Sequence, residues 1–268
     1  MANPPVMQSA RELLRQYWGY EHFRPGQEQI IQSVLEGSDT LAILPTSGGK
    51  SICFQIPGML LEGVCLVITP LIALMKDQVS NLESRGIPAI ALDSGMTYFE
   101  LKKALEDTVS GRYKFLYLSP ERLEAALFRN YLPALNISLI AVDEAHCISQ
   151  WGYDFRPPYL RVGALRVSLP GIPVLALSAS ATPLVQKDIL KKLNFVSPGI
   201  YRGSFERPNL HYLAFPVTNK FQKLLEILES GEGSSIVYCR SRKLTGDLAA
   251  QLAAAGIFAD FYHVSPLT

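Results

Sequence analysis

The sequence lacks the cysteine patterns that build disulfide frameworks or zinc sites. Its four cysteines, Cys53, Cys65, Cys147 and Cys239, stand singly, with no C-x-x-C pair and no histidine at ligand spacing. Such scattered cysteines are typical of free thiols in a reducing compartment. We therefore expect no disulfide, and no zinc in this portion of the chain.

Membrane and secretion signals are also missing. The first five residues do not pair a basic segment with an apolar one, and no apolar run approaches the length that spans a bilayer. We expect a cytoplasmic protein that makes no membrane contact.

Strong charge of either sign is absent as well. The 268 residues carry 25 Lys and Arg against 24 Asp and Glu, a net charge of +1, and 48% of them are hydrophobic. A chain of this length and composition can fold as one large domain plus part of another. Because the charges balance, any binding of nucleic acid must come from a local basic or aromatic surface.

A loop of small residues follows an apolar run at 40–44 and precedes a predicted helix. Its sequence is Leu44-Pro45-Thr46-Ser47-Gly48-Gly49-Lys50-Ser51. Backbone N–H groups in such a loop bind phosphate, the lysine reaches the outer phosphates, and the serine hydroxyl can ligate magnesium. We interpret 46–51 as an ATP site, but the strict pattern has Gly in place of Leu44, so these residues alone also allow an ordinary glycine-rich turn.

The chain as a whole alternates between apolar runs and helical stretches. Apolar runs lie at 64–69, 88–92, 114–119, 138–142 and 173–178, and helical stretches lie at 11–18, 25–35, 71–85, 99–109, 121–127 and 159–167. Apolar strands separated by helices predict an α/β fold with a parallel sheet that helices cover on both faces. Function is then expected at the carboxyl ends of the strands.

Two acidic residues, Asp143 and Glu144, follow the apolar run at 138–142. At a strand end beside a phosphate loop, the first carboxylate can hold magnesium and the second can orient the attacking water. The alternative is a solvated acidic turn. Near the start of the helix at 25–35, Tyr20, Arg24 and Gln27 can stack on and hydrogen-bond an adenine, or Tyr20 can be core and Arg24 surface.

An aromatic-rich segment at 151–158 carries Trp151, Phe155 and Arg156 among Gly, Asp and two prolines. Aromatic faces accept bases of any sequence, and arginine adds phosphate attraction or stacking. The surrounding turn residues favour an exposed loop that contacts DNA over the alternative, a core plug.

The chain resembles the RecQ family of DNA helicases, which belong to superfamily two. Asp143-Glu144-Ala145-His146 reads as the family's DEAH box. The other matching segments occur in family order at 23–27, 45–55, 69–79, 118–122, 145–152, 176–183, 204–210, 238–242 and 262–263. The resemblance implies a RecA-like P-loop domain that uses ATP and Mg²⁺ and acts on single-stranded and partly duplex DNA.

Roles for individual residues follow from the resemblance. It implies that Tyr20, Arg24 and Gln27 recognise adenine, that Lys50 and Ser51 contact phosphate and magnesium, and that Asp143 and Glu144 are the magnesium acid and the water-orienting base. It also implies that His146 links the nucleotide site to DNA, that Trp151, Phe155 and Arg156 sense single strands, and that Ser178, Ser180 and Thr182 couple hydrolysis to movement.

The chain departs from the family pattern in three loop positions and in its last segment. Ser47 replaces a usual Gly, and Tyr153 and Pro158 replace a usual His and Glu. We expect a first RecA-like domain at 1–207 and the incomplete start of a second at 208–268, with strands at 210–216, 235–239 and 258–262 and helices at 219–229 and 242–255. The family's arginine-finger motifs are absent from these residues.

Two hypotheses follow from these observations. In the first, the chain is the motor portion of a 3′ to 5′ DNA helicase of RecQ type, acting in recombination and repair. In the second, it is a truncated module that binds nucleotide and DNA without productive turnover, because an arginine finger contributes about 10³–10⁵ in rate. An RNA-remodelling DEAH-box ATPase is a weaker third possibility, because the Gln27 region and the 151–158 loop match the DNA family.

Overall fold

The computed structural model describes residues 4–46, 48–152, 154–206 and 209–262. The chain divides into two compact units, residues 1–206 and 207–268. The helices of the first unit are α1 (Pro4–Leu13), α2 (Gln27–Leu35), α3 (Ile52–Leu60), α4 (Ile72–Glu83), α5 (Tyr98–Val109), α6 (Ala126–Tyr131), α7 (Leu160–Ser168) and α8 (Pro183–Lys192). Its strands are β1 (Thr40–Ile43), β2 (Val64–Ile68), β3 (Ala89–Leu92), β4 (Phe115–Leu118), β5 (Ile137–Val142), β6 (Val174–Ser178) and β7 (Gly199–Arg202).

The seven strands form one parallel sheet in the order β3-β4-β2-β5-β6-β1-β7. Alternate side chains of β1 to β6 enter separate hydrophobic clusters on the two faces, as Leu41 and Ala42 do in β1. Burial on both faces explains why these strands read as continuous apolar runs. The predicted RecA-like α/β fold is confirmed, and all strand carboxyl ends meet at one edge of the sheet.

Several boundaries differ from the sequence prediction. The first helix begins at Pro4 and not at 11, and it continues as a π-helix over Leu14–Trp18, because Met7, Ala10 and Leu14 pack in one buried cluster with residues of α3. The stretch at 121–127 is not one helix: the extended ψ of Ala125 separates a 3₁₀ turn from α6. The sequence pattern did not predict α8 or β7, and β7 is a short edge strand with alternating partial burial.

The second unit contains α9 (Lys220–Ser230) and α10 (Arg242–Ala254), as predicted. The predicted strands at 210–216, 235–239 and 258–262 are wrong, because these segments make no ladder hydrogen bonds among the described residues. Side chains that a sheet would cover are instead exposed, including Tyr212, Ile236, Tyr238 and Phe258. No helix in the described part of the chain is long and apolar enough to cross a membrane.

Candidate functional site

Three of the segments that carry predicted site residues lie at the carboxyl edge of the sheet. The phosphate loop follows β1, the acidic pair follows β5, and Ser178 ends β6. Because β5, β6 and β1 are adjacent, the sheet order brings these three segments together from distant parts of the sequence.

Close packing explains the two glycines of the phosphate loop. A Cβ atom on Gly48 would lie 2.8 Å from the carbonyl oxygen of Pro45, and one on Gly49 would lie 2.3 Å from Nε2 of Gln27. Gly49 also has a φ of +76°, which L-residues rarely adopt. Thr46 belongs to the same loop, whereas Ser47, which stands where the family usually has Gly, lies outside the described residues.

Gln27 connects the adenine-recognition segment to the phosphate loop. Its buried side chain accepts a 2.8 Å hydrogen bond from the backbone N–H of Arg24 and donates a 3.0 Å bond to the carbonyl oxygen of Gly49. The two segments are therefore held in a fixed relation by one carboxamide.

A cavity of about 550 Å³ lies beside this connection. It is lined by Tyr20, Arg24, Gln27, Gly49, Lys50 and Ser51, together with Trp18, His22, Ile52, Gln55, Gln78, Asn81, Leu82 and Arg85. This volume falls in the range that holds small ligands and cofactors. Tyr20 is 53% exposed, so its ring is open to the cavity and the alternative that it is core is wrong.

Asp143 is a buried carboxylate at the end of β5. Its Oδ1 accepts a 3.0 Å bond from the N–H of Glu144, and its carbonyl oxygen accepts a 2.9 Å bond from the hydroxyl of Tyr159. Burial, followed by repulsion from Glu144, raises the pKa of Asp143, and the charge of Lys50 opposes that rise. A carboxylate with this unmet demand for positive charge fits a divalent cation.

Glu144 faces two cationic or polar partners. Its carboxylate lies 3.2 Å from Nζ of Lys50 and 3.3 Å from Nδ1 of His146. The hydrogen bond from His146 and then the charge and hydrogen bond of Lys50 lower the pKa of Glu144 despite partial burial. Its backbone φ of +47° is strained for a glutamate, which is a feature of functional turns.

His146 joins the acidic segment to the end of β6. Its Nδ1 lies 3.1 Å from Oγ of Ser178, and both side chains are buried. The N–H of Ser180 in turn donates to Oγ of Ser178, and Thr182 caps α8 through the N–H of Val185. Ser178 therefore contacts the acidic segment and not solvent.

The aromatic-rich loop has one exposed side chain, Trp151, and two side chains that contact the rest of the protein, Phe155 and Arg156. Trp151 is 70% exposed, so the core-plug alternative is wrong for this residue. Phe155 is half-buried, with Nζ of Lys192 5.6 Å from its ring centre. Arg156 pairs with Asp154 at 3.2 Å and donates to the carbonyl oxygen of Pro70, while Tyr153 lies outside the described residues.

Residues 24–189 match the family model of the DEAD/DEAH box helicases. The chain belongs to the DEAD/DEAH box helicase family. The chain is 42% identical over 260 residues to the ATP-dependent DNA helicase RecQ of Pasteurella multocida, covering 97% of the chain and 41% of that protein. It is also 42% identical to the probable ATP-dependent DNA helicase RecS of Bacillus subtilis, covering 96% of the chain and 52% of the relative.

The chain thus spans about two fifths to one half of these relatives, and the resemblance to RecQ helicases is confirmed. Among solved structures, the DUF1998 helicase MrfA shares the fold, with a TM-score of 0.68 and 17% identity over 95% of this chain and 41% of that one. MrfA bound to DNA matches 75% of this chain and 30% of its own, with a TM-score of 0.58 and 16% identity.

Sequence reasoning missed two residues that hold the helicase site together. Gln78 of α4 hydrogen-bonds the carboxylate of Asp143, and Tyr159 bonds the carbonyl oxygen of the same residue. Gln78 lies inside the matching segment at 69–79, which was a usable signal. Tyr159 has no such signal, because only the fold places its hydroxyl beneath β5.

Proposed function

We propose that this chain is the ATP-dependent motor portion of a RecQ-type DNA helicase, which unwinds DNA with 3′ to 5′ polarity in recombination and repair. The observation that carries the proposal is the unbroken series of contacts from Lys50 through Glu144 and His146 to Ser178. The series connects a phosphate loop to a segment on the neighbouring strand, as coupling of hydrolysis to movement requires.

The roles at the nucleotide follow from the geometry and charge of each group. Tyr20, Arg24 and Gln27 bind the adenine, and Lys50 neutralises the outer phosphates. Ser51 and Asp143 would hold Mg²⁺, which would neutralise charge on the phosphates. Glu144 orients the attacking water and accepts its proton. The hydrogen bond from His146 and the charge of Lys50 lower the pKa of Glu144 in the ligand-free site, so the carboxylate becomes a better proton acceptor when Lys50 moves to the phosphates.

DNA is the substrate that the relatives favour, since the matched RecQ proteins are named DNA helicases. On this chain Trp151 provides the exposed ring for stacking on single-stranded bases, with Phe155 and Arg156 supporting the loop. His146, Ser178 and Ser180 transmit the state of the nucleotide to that loop. A cytoplasmic location is part of the same proposal.

Residues 208–268 are, in this proposal, the N-terminal part of a second RecA-like domain that follows a first domain at 1–207. The helices α9 and α10 support this assignment, because each is preceded by an apolar segment, as in a βα unit. The hypothesis of a non-hydrolysing module is less favoured, since the matched relatives are named as helicases.

ATP hydrolysis by the purified chain, with and without single-stranded DNA, tests the proposal. We expect hydrolysis that DNA stimulates and that Lys50→Ala abolishes, while Lys191→Ala, an exposed lysine at the end of α8, has no effect. Equal turnover by the Lys50 variant, or no nucleotide binding by the unchanged chain, would contradict it. Strand displacement from duplexes with a 3′ or a 5′ tail then tests the polarity.

A further inference from the structure

The carboxyl edge of the sheet continues past the site to an outermost strand. Beyond β5 the order is β2, β4 and β3, so β3 lies three strands from the acidic pair, or about 14 Å along the edge. The loop that follows β3, residues 93–97, therefore lies on the same edge as the phosphate loop and the aromatic-rich loop.

Asp93 fixes this outer loop to its two neighbours. Its carboxylate lies 2.7 Å from Nζ of Lys76 in α4, and its carbonyl oxygen accepts a 2.5 Å bond from Arg122 after β4. The bond to Lys76 is the main cause of the lowered pKa of Asp93. Lys76 and Arg122 belong to two segments that match the helicase family. Their contacts with Asp93 therefore fix the position of the loop after β3 relative to both segments.

The start of α5 presents two aromatic rings from this fixed loop. Thr97 and Glu100 form a capping box that defines the first turn. Tyr98 and Phe99, the first two helical residues, are 63% and 81% exposed, and their rings meet edge to face at 5.9 Å. The rings are therefore exposed on a well-defined helix start and not on a free loop.

Positive charge accompanies the rings. Lys102 and Lys103 are both exposed one helical turn beyond Tyr98 and Phe99. Lys102 lies 3.7 Å from Glu106, whereas Lys103 makes no ion pair within the described ranges, and Glu100 is engaged by the capping box. Exposed aromatic rings with an adjacent lysine combine the two elements that bind single-stranded nucleic acid.

We propose that Tyr98, Phe99 and Lys103 form a base-stacking site for single-stranded nucleic acid at the outer end of this edge. The proposal rests on the proposed function, and it extends the strand path from Trp151 towards β3. A docked protein is a poorer fit, because two aromatic side chains supply at most about 500 Å², and a stable interface needs about 800 Å² per partner.

The test compares binding of a dT oligonucleotide with binding of an abasic oligonucleotide of equal length and charge by the full chain. In Tyr98→Ala/Phe99→Ala we expect roughly tenfold weaker binding of the dT strand and less than twofold change for the abasic strand, because only the first can stack. Lys103→Gln should weaken both and reduce the salt dependence. Tyr113→Ala, a tyrosine at the opposite edge of the sheet, is the matched control.

The outcomes separate this inference from the proposed function. If the unchanged chain binds dT and Trp151→Ala weakens that binding, but the double variant binds normally, only the inference is wrong. If the unchanged chain binds no single strand, both fail. A double variant that changes self-association in sedimentation, with DNA affinity intact, would show that another protein surface covers these rings and would also overturn the inference. Circular dichroism confirms that each variant is folded.

Discussion

At the scale of single residues, Gln27 is a sensitive position, because its one buried carboxamide satisfies two backbone groups. Gln27→Ala leaves the N–H of Arg24 and the carbonyl oxygen of Gly49 without this partner. We expect a loss of about 1–3 kcal/mol in the free energy of unfolding and roughly tenfold weaker ATP binding. Thermal unfolding and titration with a fluorescent ATP analogue measure these two effects.

The matched control for this prediction is Gln29→Ala, an exposed glutamine on the same helix. It should leave both quantities unchanged. Gln27→Glu is a second informative variant, because it keeps the acceptor for Arg24 and removes the donor to Gly49. Normal ATP affinity in Gln27→Glu would show that the bond to the phosphate loop is unimportant.

A buried acid at the site makes stability depend on pH. Because the folded-state pKa of Asp143 is raised, the folded protein binds a proton there more tightly than the unfolded chain does. Its contribution to stability is therefore lost as pH rises from the unfolded pKa, about 3.9, through the raised folded value. We expect Asp143→Asn to stabilise the ligand-free chain at pH 7 by on the order of 1 kcal/mol, while abolishing hydrolysis.

Thermal unfolding between pH 3.5 and pH 8 checks this prediction. The advantage of Asp143→Asn should disappear below about pH 4, where Asp143 is protonated in both states. Asp77→Asn, an exposed carboxylate of α4, is the control. A variant that is less stable than the unchanged chain at pH 7 would refute the burial argument.

At the scale of secondary-structure elements, one ion pair ties α7 to the amino ends of two strands. Arg166 contacts both oxygens of the buried Asp39, at 2.7 and 2.5 Å, and Asp39 also accepts a bond from the N–H of Val174. Arg166→Gln leaves this carboxylate buried without its cation. We expect a cost of about 2–4 kcal/mol in the free energy of unfolding, measured by urea titration.

This ion pair lies at the edge of the sheet opposite the site. ATP binding by Arg166→Gln should therefore be normal at a temperature where the variant remains folded. Arg161→Gln, which breaks an exposed pair with Glu124 at 2.8 Å, should cost less than about 1 kcal/mol. Equal losses in the two variants would show that burial is not what gives the Asp39 pair its effect.

How far the sequence predicted the fold can be seen element by element. The central strands were predictable because burial on both faces gives continuous apolar runs, as in β2 and β5. The edge strand β7 was not, because only half of its residues are covered. Motifs predicted that the phosphate loop and the acidic pair lie near each other, whereas the support that Tyr159 gives to Asp143 depends on tertiary placement alone.

At the scale of the whole molecule, the two units differ in their backbone hydrogen bonding. The strands of the first unit are paired throughout the sheet, but the extended segments at 210–216 and 235–239 make no ladder bonds within the described ranges. Hydrogen exchange should therefore be faster in these two segments than in β2 and β5 by roughly 10³-fold or more. Mass spectrometry of peptic fragments measures the difference.

Slow exchange at 210–216 and 235–239 would show that these segments form a sheet in solution. It would support the strands that the sequence predicts there and contradict the present structure of the second unit. The peptides of α9 and α10 provide the internal comparison, because their helical hydrogen bonds give them intermediate protection.

In the site without nucleotide, the carboxylate of Glu144 occupies the lysine, Lys50, that a phosphate would bind. An arriving triphosphate must take the lysine away from the carboxylate, so part of its binding free energy is spent on separating the two. In the proposed function, the same displacement frees Glu144 to accept a proton from water, so that the base becomes available only when the phosphate that it serves is already in place.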